Sequence, residues 1–375
     1  MSVYRKLDNR LAALRQARGF SAAELARAAG VTRQTIYAIE AGSFVPNTMV
    51  ALRLAQALEG TVEDLFALPG DAPAPRPAEE QAALLPGSDA LEPGQPVQLC
   101  RVGARLIATP PSPLPWSLPA GDAAATSHSA RGKAAVRAYR DAPDYRHRLL
   151  VAGCDPGISV LARHLLPAGI ELVLAHRNSS QALDLLKQGA VHIAGTHLRD
   201  ESSGESNLPE IGRLFARNAV AVISFAVWEE GIVTARGNPK GIRGVADFAR
   251  GDIRLVNREK GSGSRRLLDG HLKRLGIAAD AVNGYETLAA GHLPAAWQVR
   301  MGAADACIAT RAAARLWGLG FLPLASERYD LVLRRRYLDL PPVQALLEAL
   351  NRAAFRRELE GAGGYDAASA GRRML

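Results

Sequence analysis

Three short stretches, drawing on glycine, serine or basic residues, stand where a predicted strand gives way to a predicted helix. They are Gly153-Cys154-Asp155-Pro156-Gly157, Arg177-Asn178-Ser179-Ser180, and Asn257-Arg258-Glu259-Lys260-Gly261-Ser262-Gly263-Ser264-Arg265. A helix N-terminus presents unpaired N–H groups and partial positive charge, so it favours anions. Glycine admits close approach of a ligand to the backbone, and the serines add O–H donors. Arg258, Arg265 and Arg266 flank the third stretch and add charge. Loops of this kind, converging at the carboxyl ends of strands, would hold a small anion. Plainer readings stand beside this one: Gly-Ser-Gly-Ser also makes turns, Ser179-Ser180 also caps a helix, and Cys154 is also a small buried hydrophobe.

Catalytic and metal patterns are weaker. Cys154, Asp155 and His197 are loose candidates for a nucleophile and its acid–base partners, and no triad spacing supports them. His192 and His197 lie five apart and lack the His-Glu-x-x-His spacing. Neither a catalytic residue nor a metal ligand is therefore expected.

A different chemistry sits near the start of the chain. Ser21 followed by Glu24 is a capping box, and Leu25, Ala26 and Ala29 give one apolar stripe. Gly30 supplies a turn, Val31 plugs the angle between two helices, and Thr32 caps the second. Thr35, Ile36 and Ile39 face inward, which leaves Arg33, Gln34 and Tyr37 outward. That is the layout of a helix-turn-helix whose second helix enters a major groove. Leu7, Leu11 and Leu14 mark a preceding helix. Ala51, Leu54, Ala55 and Leu58 mark a following one, capped by Asn47 or Thr48, and residues 61–66 read as a last short helix. Arg53 on the following helix is placed to meet a phosphate.

Beyond this segment, residues 68–96 are rich in Pro, Ala and acidic residues and read as a linker, with at most a short helix over Glu79–Leu85. Residues 97–109 suggest a β-hairpin turning near Gly103, followed by a mobile loop over 110–133. From Arg148 the chain alternates strands and helices, first in a βαβαβ rhythm and then in a second set after the strands Val220–Trp228 and Gly231–Thr234. Phe321–Leu324 and Tyr329–Leu333 read as further strands, and Val343–Ala353 as a closing helix. Two α/β lobes joined by crossing strands would leave a cleft between them.

The chain of 375 residues carries a formal charge of +9, which suits a polyanionic partner. Cys100, Cys154 and Cys307 are too far apart in sequence to suggest a disulfide set or a metal motif, which points to a reducing compartment. No apolar run reaches the ~20 residues that span a bilayer. The expected location is cytoplasmic, with no membrane contact.

Residues 7–66 resemble the Cro/repressor (XRE-type) DNA-binding domain. The matching residues are Leu14-Arg15-Gln16-Ala17-Arg18-Gly19, Gly30-Val31-Thr32-Arg33-Gln34-Thr35-Ile36, and Ile39-Glu40-Ala41-Gly42. The resemblance implies double-stranded operator DNA as partner and a homodimer on paired half-sites, with Ser21, Thr32, Arg33, Gln34, Tyr37, Asn47 and Arg53 at the DNA. Residues 148–355 resemble the periplasmic-binding-protein-like domain found fused to helix-turn-helix proteins and to molybdopterin-biosynthesis proteins. Its fold is related to molybdate- and tungstate-binding proteins. The matching stretches include Ala152-Gly153-Cys154-Asp155-Pro156, Ala194-Gly195-Thr196-His197-Leu198, Val256-Asn257-Arg258, Gly261-Ser262-Gly263-Ser264-Arg265, Gly284-Tyr285-Glu286 and Glu327-Arg328-Tyr329-Asp330-Leu331. This second resemblance implies a ligand set of Cys154, Asp155, Ser179, Ser180, Thr196, His197, Arg258, Ser262, Gly263, Ser264, Arg265 and Tyr285. It points to molybdate or tungstate as a small-molecule effector, with no other cofactor; an organic acid or a molybdenum-cofactor precursor suits the arginines equally.

The expected architecture is multidomain: an all-α helix-turn-helix domain (1–67), a Pro/Ala-rich linker with a short hairpin (68–147), and a two-lobed α/β domain of the periplasmic-binding-protein type II class (148–375). The expected function is a ligand-responsive transcription regulator, not an enzyme. Two alternatives remain: an enzyme or binding protein acting on a molybdenum-cofactor intermediate, and an architectural DNA-binding protein whose C-terminal domain has lost its ligand.

Overall fold

The structure, a computed structural model, describes residues 8–67, 78–111, 120–140, 144–200, 204–216 and 218–375. The chain divides into two compact units, Met1–Ala78 and Glu79–Leu375.

In the first unit a two-residue strand β1 (Asp8–Asn9) precedes helices α1 (Leu11–Ala17), α2 (Ala22–Ala29), α3 (Arg33–Glu40), α4 (Thr48–Ala57) and α5 (Val62–Leu65). A second short strand, β2 (Phe66–Ala67), pairs antiparallel with β1. Leu11, Leu25, Ala29, Ile36, Ile39, Leu54 and Leu65 form the core. Each helix start carries a local signal. Ser21 and Glu24 complete a capping box, Thr32 and Asn47 cap α3 and α4, and Thr61 with Asp64 caps α5. Gly30 takes φ 67°, the left-handed conformation that the turn between α2 and α3 requires. Leu7, expected on the first helix, lies outside the described residues.

The second unit opens on an element that no sequence pattern announced. Strands β3 (Glu79–Leu84), β4 (Pro96–Val102), β5 (Arg105–Thr109), β6 (Ala123–Ala125) and β7 (Lys133–Ala138) close into a barrel in the order β3-β5-β4-β6-β7. Two expectations are corrected here. Glu79–Leu84 is a strand rather than a helix, because it pairs with β7 on one side and β5 on the other. Part of the stretch expected as a loop over 110–133 supplies β6 and the start of β7. The hairpin near 97–109 is β4–β5, with Gly103 at φ 60°. The alanine-rich composition that suggested a linker has a physical use: a five-stranded barrel has a narrow interior, and Ala82, Ala108, Ala123, Ala125 and Ala134 fill it.

The barrel packs on the first α/β lobe. Leu85, Cys100, Val102 and Ile107 join the core of that lobe, and Arg148 bonds bidentately to Asp122 (2.6 and 2.8 Å). The lobe contains β8 (Arg148–Gly153), α6 (Ile158–Leu165), β9 (Glu171–His176), α7 (Ser179–Lys187), β10 (Ile193–Thr196) and α8 (Leu208–Leu214). A long strand β11 (Val220–Thr234) then leads into β12 (Leu255–Arg258), α9 (Gly263–Leu275), β13 (Leu288–Ala289), α10 (His292–Arg300), β14 (Ala306–Thr310) and α11 (Arg311–Leu316). A second long strand, β15 (Gly320–Arg334), returns to α12 (Pro341–Asn351), α13 (Ala353–Gly361) and β16 (Tyr365–Asp366).

The sheet order is β13-β12-β14-β11-β15-β10-β8-β9, with β16 also on β11. The strand pairs expected at 220–234 and 321–333 are thus two continuous strands. They run antiparallel from Val220↔Arg334 to Thr234↔Gly320 and belong to both lobes. Their register shifts between Ser224 and Ala226 and between Glu230 and Gly231. Such bulges bend a strand and re-aim its side chains, and here they lie beside the cleft.

Candidate functional site

The cleft is shut. Asn178, the cap of α7, donates from Nδ2 to the Lys260 carbonyl (3.1 Å), and Ser180 Oγ donates to the Gly261 carbonyl (3.1 Å). Gly263, at the start of α9, lies so close to His197 that a Cβ there would stand 2.3 Å from the imidazole. The second and third sequence loops therefore meet across the lobes.

Most hydroxyls expected to face a ligand are bonded within the chain. Ser179 Oγ accepts from the His197 amide (3.1 Å), and Thr196 Oγ1 donates to Asn207 (3.4 Å). Ser262 caps α9 and donates to the Glu259 carbonyl (2.9 Å). Ser264 Oγ donates to Glu230. Asp155 Oδ1 accepts from the Gly157 amide (2.7 Å) and the Tyr365 hydroxyl (2.6 Å). Burial pushes the Asp155 carboxyl up to about 7 against both bonds. The Arg265 guanidinium lies over the Tyr285 ring (4.3 Å), and the Tyr285 hydroxyl donates to Asp269 (2.6 Å). Arg265 and Tyr285 hold the second lobe together.

Cys154, His197, Arg258 and Ser264 do converge, and they meet residues outside the expected set. Cys154 Sγ lies 3.5 Å from His197 Nε2 and 3.8 Å from His292 Nε2. His197 Nδ1 lies 2.7 Å from Glu327 Oε2 and 3.7 Å from Glu230 Oε2. The Trp228 ring stands edge-on to both imidazoles, 4.8 Å from His197 and 5.2 Å from His292. Tyr329 stacks near His197. Its hydroxyl fills the space beside Gly153 and Gly195, where a Cβ would lie 2.3 and 1.9 Å away. All of these side chains are buried.

Register explains the convergence. Trp228 pairs with Glu327 and Ala226 with Tyr329, and directly opposed residues share a face. Trp228, Glu327 and Tyr329 thus floor the cleft, and Glu230 joins them at the bulge. His292 enters on the first turn of α10. A trace of this was present in the sequence: the consecutive acids Glu229 and Glu230 interrupt a largely apolar strand, VAVISFAVWEEGIVT, and Glu230 is the one that turns into the cluster while Glu229 bonds to Arg311. A buried carboxylate needs a partner or a proton.

Electrostatics follow from burial. Burial and the neighbouring Glu327 push Glu230 to about 8, and burial pushes Glu327 to about 7. Burial disfavours charge on His197, yet Cys154 and Glu230 hold its pKa above the ordinary histidine value. Burial and Arg258 hold His292 well below it. Arg258 is wholly buried; Nε and Nη2 bond to Glu259 (3.1 and 3.2 Å), and Nη1 has no hydrogen bond. Trp228 Nε1 and His292 Nδ1 also have none.

Two chemistries fit this set. Arg258 Nη1 and Trp228 Nε1 are donors for an anion. The order Cys154, His197, Glu327 is a thiol–imidazole–carboxylate relay of the kind that activates a nucleophile. Although no metal ligand was expected, the ligating atoms of Cys154, His197 and His292 lie within 4.8 Å of one another, as do those of His197, Glu230 and Glu327. His192 is elsewhere: its Nδ1 accepts from the Leu150 amide (3.0 Å).

In the helical unit, Arg33, Gln34 and Tyr37 lie exposed on α3, with Arg33 Nη2 donating to the Tyr37 hydroxyl (2.9 Å), and Arg53 is exposed on α4. Ser21, Thr32 and Asn47 accept amides from Glu24, Thr35 and Val50 as helix caps. Among the described residues, no helix is long and apolar enough to cross a membrane.

A family model described as a PBP superfamily domain matches residues 162–351, and a helix-turn-helix model matches residues 11–65. The chain is 35% identical over 234 residues to YvgK of Bacillus subtilis, covering 62% of this chain and 75% of that protein. It is 40% identical over 60 residues to the HTH-type transcriptional regulator YgzD of the same organism, covering 16% of this chain and 91% of YgzD. Among solved structures, the sulfate-binding protein SubI of Mycobacterium tuberculosis aligns with TM-score 0.43 and 18% identity, over 58% of this chain and 86% of SubI.

Proposed function

Because the chain belongs to the family carrying the PBP superfamily domain, here with a helix-turn-helix domain at its N-terminal end, we propose that it is a transcription regulator that binds operator DNA and responds to a small anion held between the two lobes. The observation that carries the anion is Arg258, a fully buried cation with Nη1 lacking an acceptor. Leaving a donor of a buried charge unmet is costly, and an oxyanion beside Trp228 Nε1 would meet it. Burial and the neighbouring Glu327 push the Glu230 carboxyl toward its neutral form, which lessens its repulsion of such a ligand. Molybdate and tungstate suit N–H donors of this kind, and so does a small organic acid. Dimers on paired half-sites follow from the helix-turn-helix mode of reading.

Calorimetry of the full chain with molybdate, tungstate, sulfate and phosphate tests this reading. One of these anions should bind, Arg258→Gln should weaken it by a factor of ten or more, and saturating anion should change operator affinity. By linkage, operator DNA must change anion affinity by the same factor. No heat from any anion, or operator affinity indifferent to a bound one, would sink the proposal.

The Cys154–His197–Glu327 relay favours a second reading, an enzyme acting on a molybdenum-cofactor intermediate. Product formation that is abolished in Cys154→Ser would favour it over a sensor.

A further inference from the structure

A thiol–imidazole hydrogen bond accounts for one histidine at Cys154, not for two. His197 and His292 come from different lobes, one following β10 and the other beginning α10, yet both turn Nε2 toward the same sulfur, at 3.5 and 3.8 Å. A tetrahedral ion with zinc-like bond lengths separates a thiolate sulfur from an imidazole nitrogen by about 3.6 Å. The remaining ring nitrogens also fit. His197 Nδ1 is 2.7 Å from Glu327 Oε2, the carboxylate–histidine pairing that fixes the tautomer of a metal-bound imidazole. His292 Nδ1 lies 3.9 Å from Glu230 Oε1 and has no hydrogen bond of its own. All three ligand residues are buried, and a Cβ on Gly291 would come within 2.5 Å of His176 Nε2, so the backbone that carries His292 tolerates no side chain there.

We propose that Cys154, His197 and His292 form a three-ligand site for a divalent transition-metal ion of the zinc class, with a fourth position open to a small ligand. The ion binds through the Cys154 thiolate and the two Nε2 atoms, and the thiol proton is released to solvent on binding. Its ligands come from both lobes, so the ion ties the cleft shut. Glu327 is a positioning residue that acts through His197. The inference is separate from the anion reading, since metal alone is the probe.

The full chain, stripped with a chelator, is titrated with Co(II) as a spectroscopic stand-in. The expected result is saturation at one ion per chain, with the strong visible bands of tetrahedral cobalt and a thiolate-to-cobalt charge-transfer band. Cys154→Ser should lose the charge-transfer band, and His292→Ala should lose tight binding. Glu327→Gln should weaken binding by about 10- to 100-fold. Cys307→Ser, in a separate core of the second lobe, should leave the spectrum unchanged. No saturable signal from the unmutated chain would overturn the proposal, and that arm depends on no variant folding. So would a charge-transfer band that survives in Cys154→Ser. Stoichiometric alkylation of Cys154 in a chain that takes up no cobalt would assign the cluster to nucleophilic chemistry instead.

Discussion

In the helical unit, polar side chains at the helix starts find partners three residues away: Ser21 with Glu24, Thr32 with Thr35, Asn47 with Val50. In the cleft the separations are 34 residues for Ser264 and Glu230, 130 for His197 and Glu327, and 138 for Cys154 and His292. The first region is assembled by local rules that each helix satisfies alone. The second exists only when several distant segments are in register. Damage should therefore stay local in one region and spread in the other.

The largest contrast should come from one substitution made in both regions. Gly195→Ala places a Cβ 1.9 Å from the Tyr329 hydroxyl in a packed interior, and about 3 kcal/mol of stability should be lost from the second unit. Gly42→Ala meets nothing within 4 Å and bears only the left-handed backbone cost, about 1 kcal/mol. Denaturant titration of each variant checks this, and equal losses would break the contrast.

A pH effect comes next, of up to about 3 kcal/mol. Burial holds His192 down to about 4, so the unfolded chain takes up its proton first. Stability present above pH 6.5 is lost as pH falls toward 4. His192→Gln should flatten that slope in denaturant titrations. An unaltered slope would exclude His192 as its source.

The DNA-facing surface should show a smaller effect. Gln34→Ala should reduce discrimination at an adenine by ~1–3 kcal/mol while sparing non-specific affinity, because Gln can pair with adenine through two hydrogen bonds. Electrophoretic titration on operator and random DNA measures it, and equal losses on both would refute base reading by Gln34. The smallest effect belongs to Asn47→Ala. It removes one cap on α4 and should cost about 1 kcal/mol. Thermal unfolding should show that loss in the helical unit alone.

Much of the scaffold was legible because its signals are short-range. The capping box at Ser21, the left-handed Gly30 and the helix Ser179–Lys187 all follow from residues within one or two turns. The cluster was legible only in part. Cys154, Arg258 and Ser264 stood out by their types in glycine-rich loops, and His197 through the family resemblance. Trp228, Glu327 and Tyr329 were hidden in strands, where nothing local separates a cleft-facing side chain from a core one, and Glu230 left only the trace of an acid in an apolar run.

By itself, the sequence determined the helices that begin on a local polar cap, at Ser21, Thr32 and Asn178, and that glycine must occupy the turn at Gly30, because propensity, capping and positive φ act over a few residues. Only the tertiary structure decided that Glu79–Leu84 is a barrel strand, that β11 and β15 are continuous through both lobes, and that the serine hydroxyls are bonded inside the chain while a thiol meets two histidines. Strand pairing and bulge position set those outcomes. They depend on contacts between residues tens to more than a hundred positions apart, which no local pattern encodes.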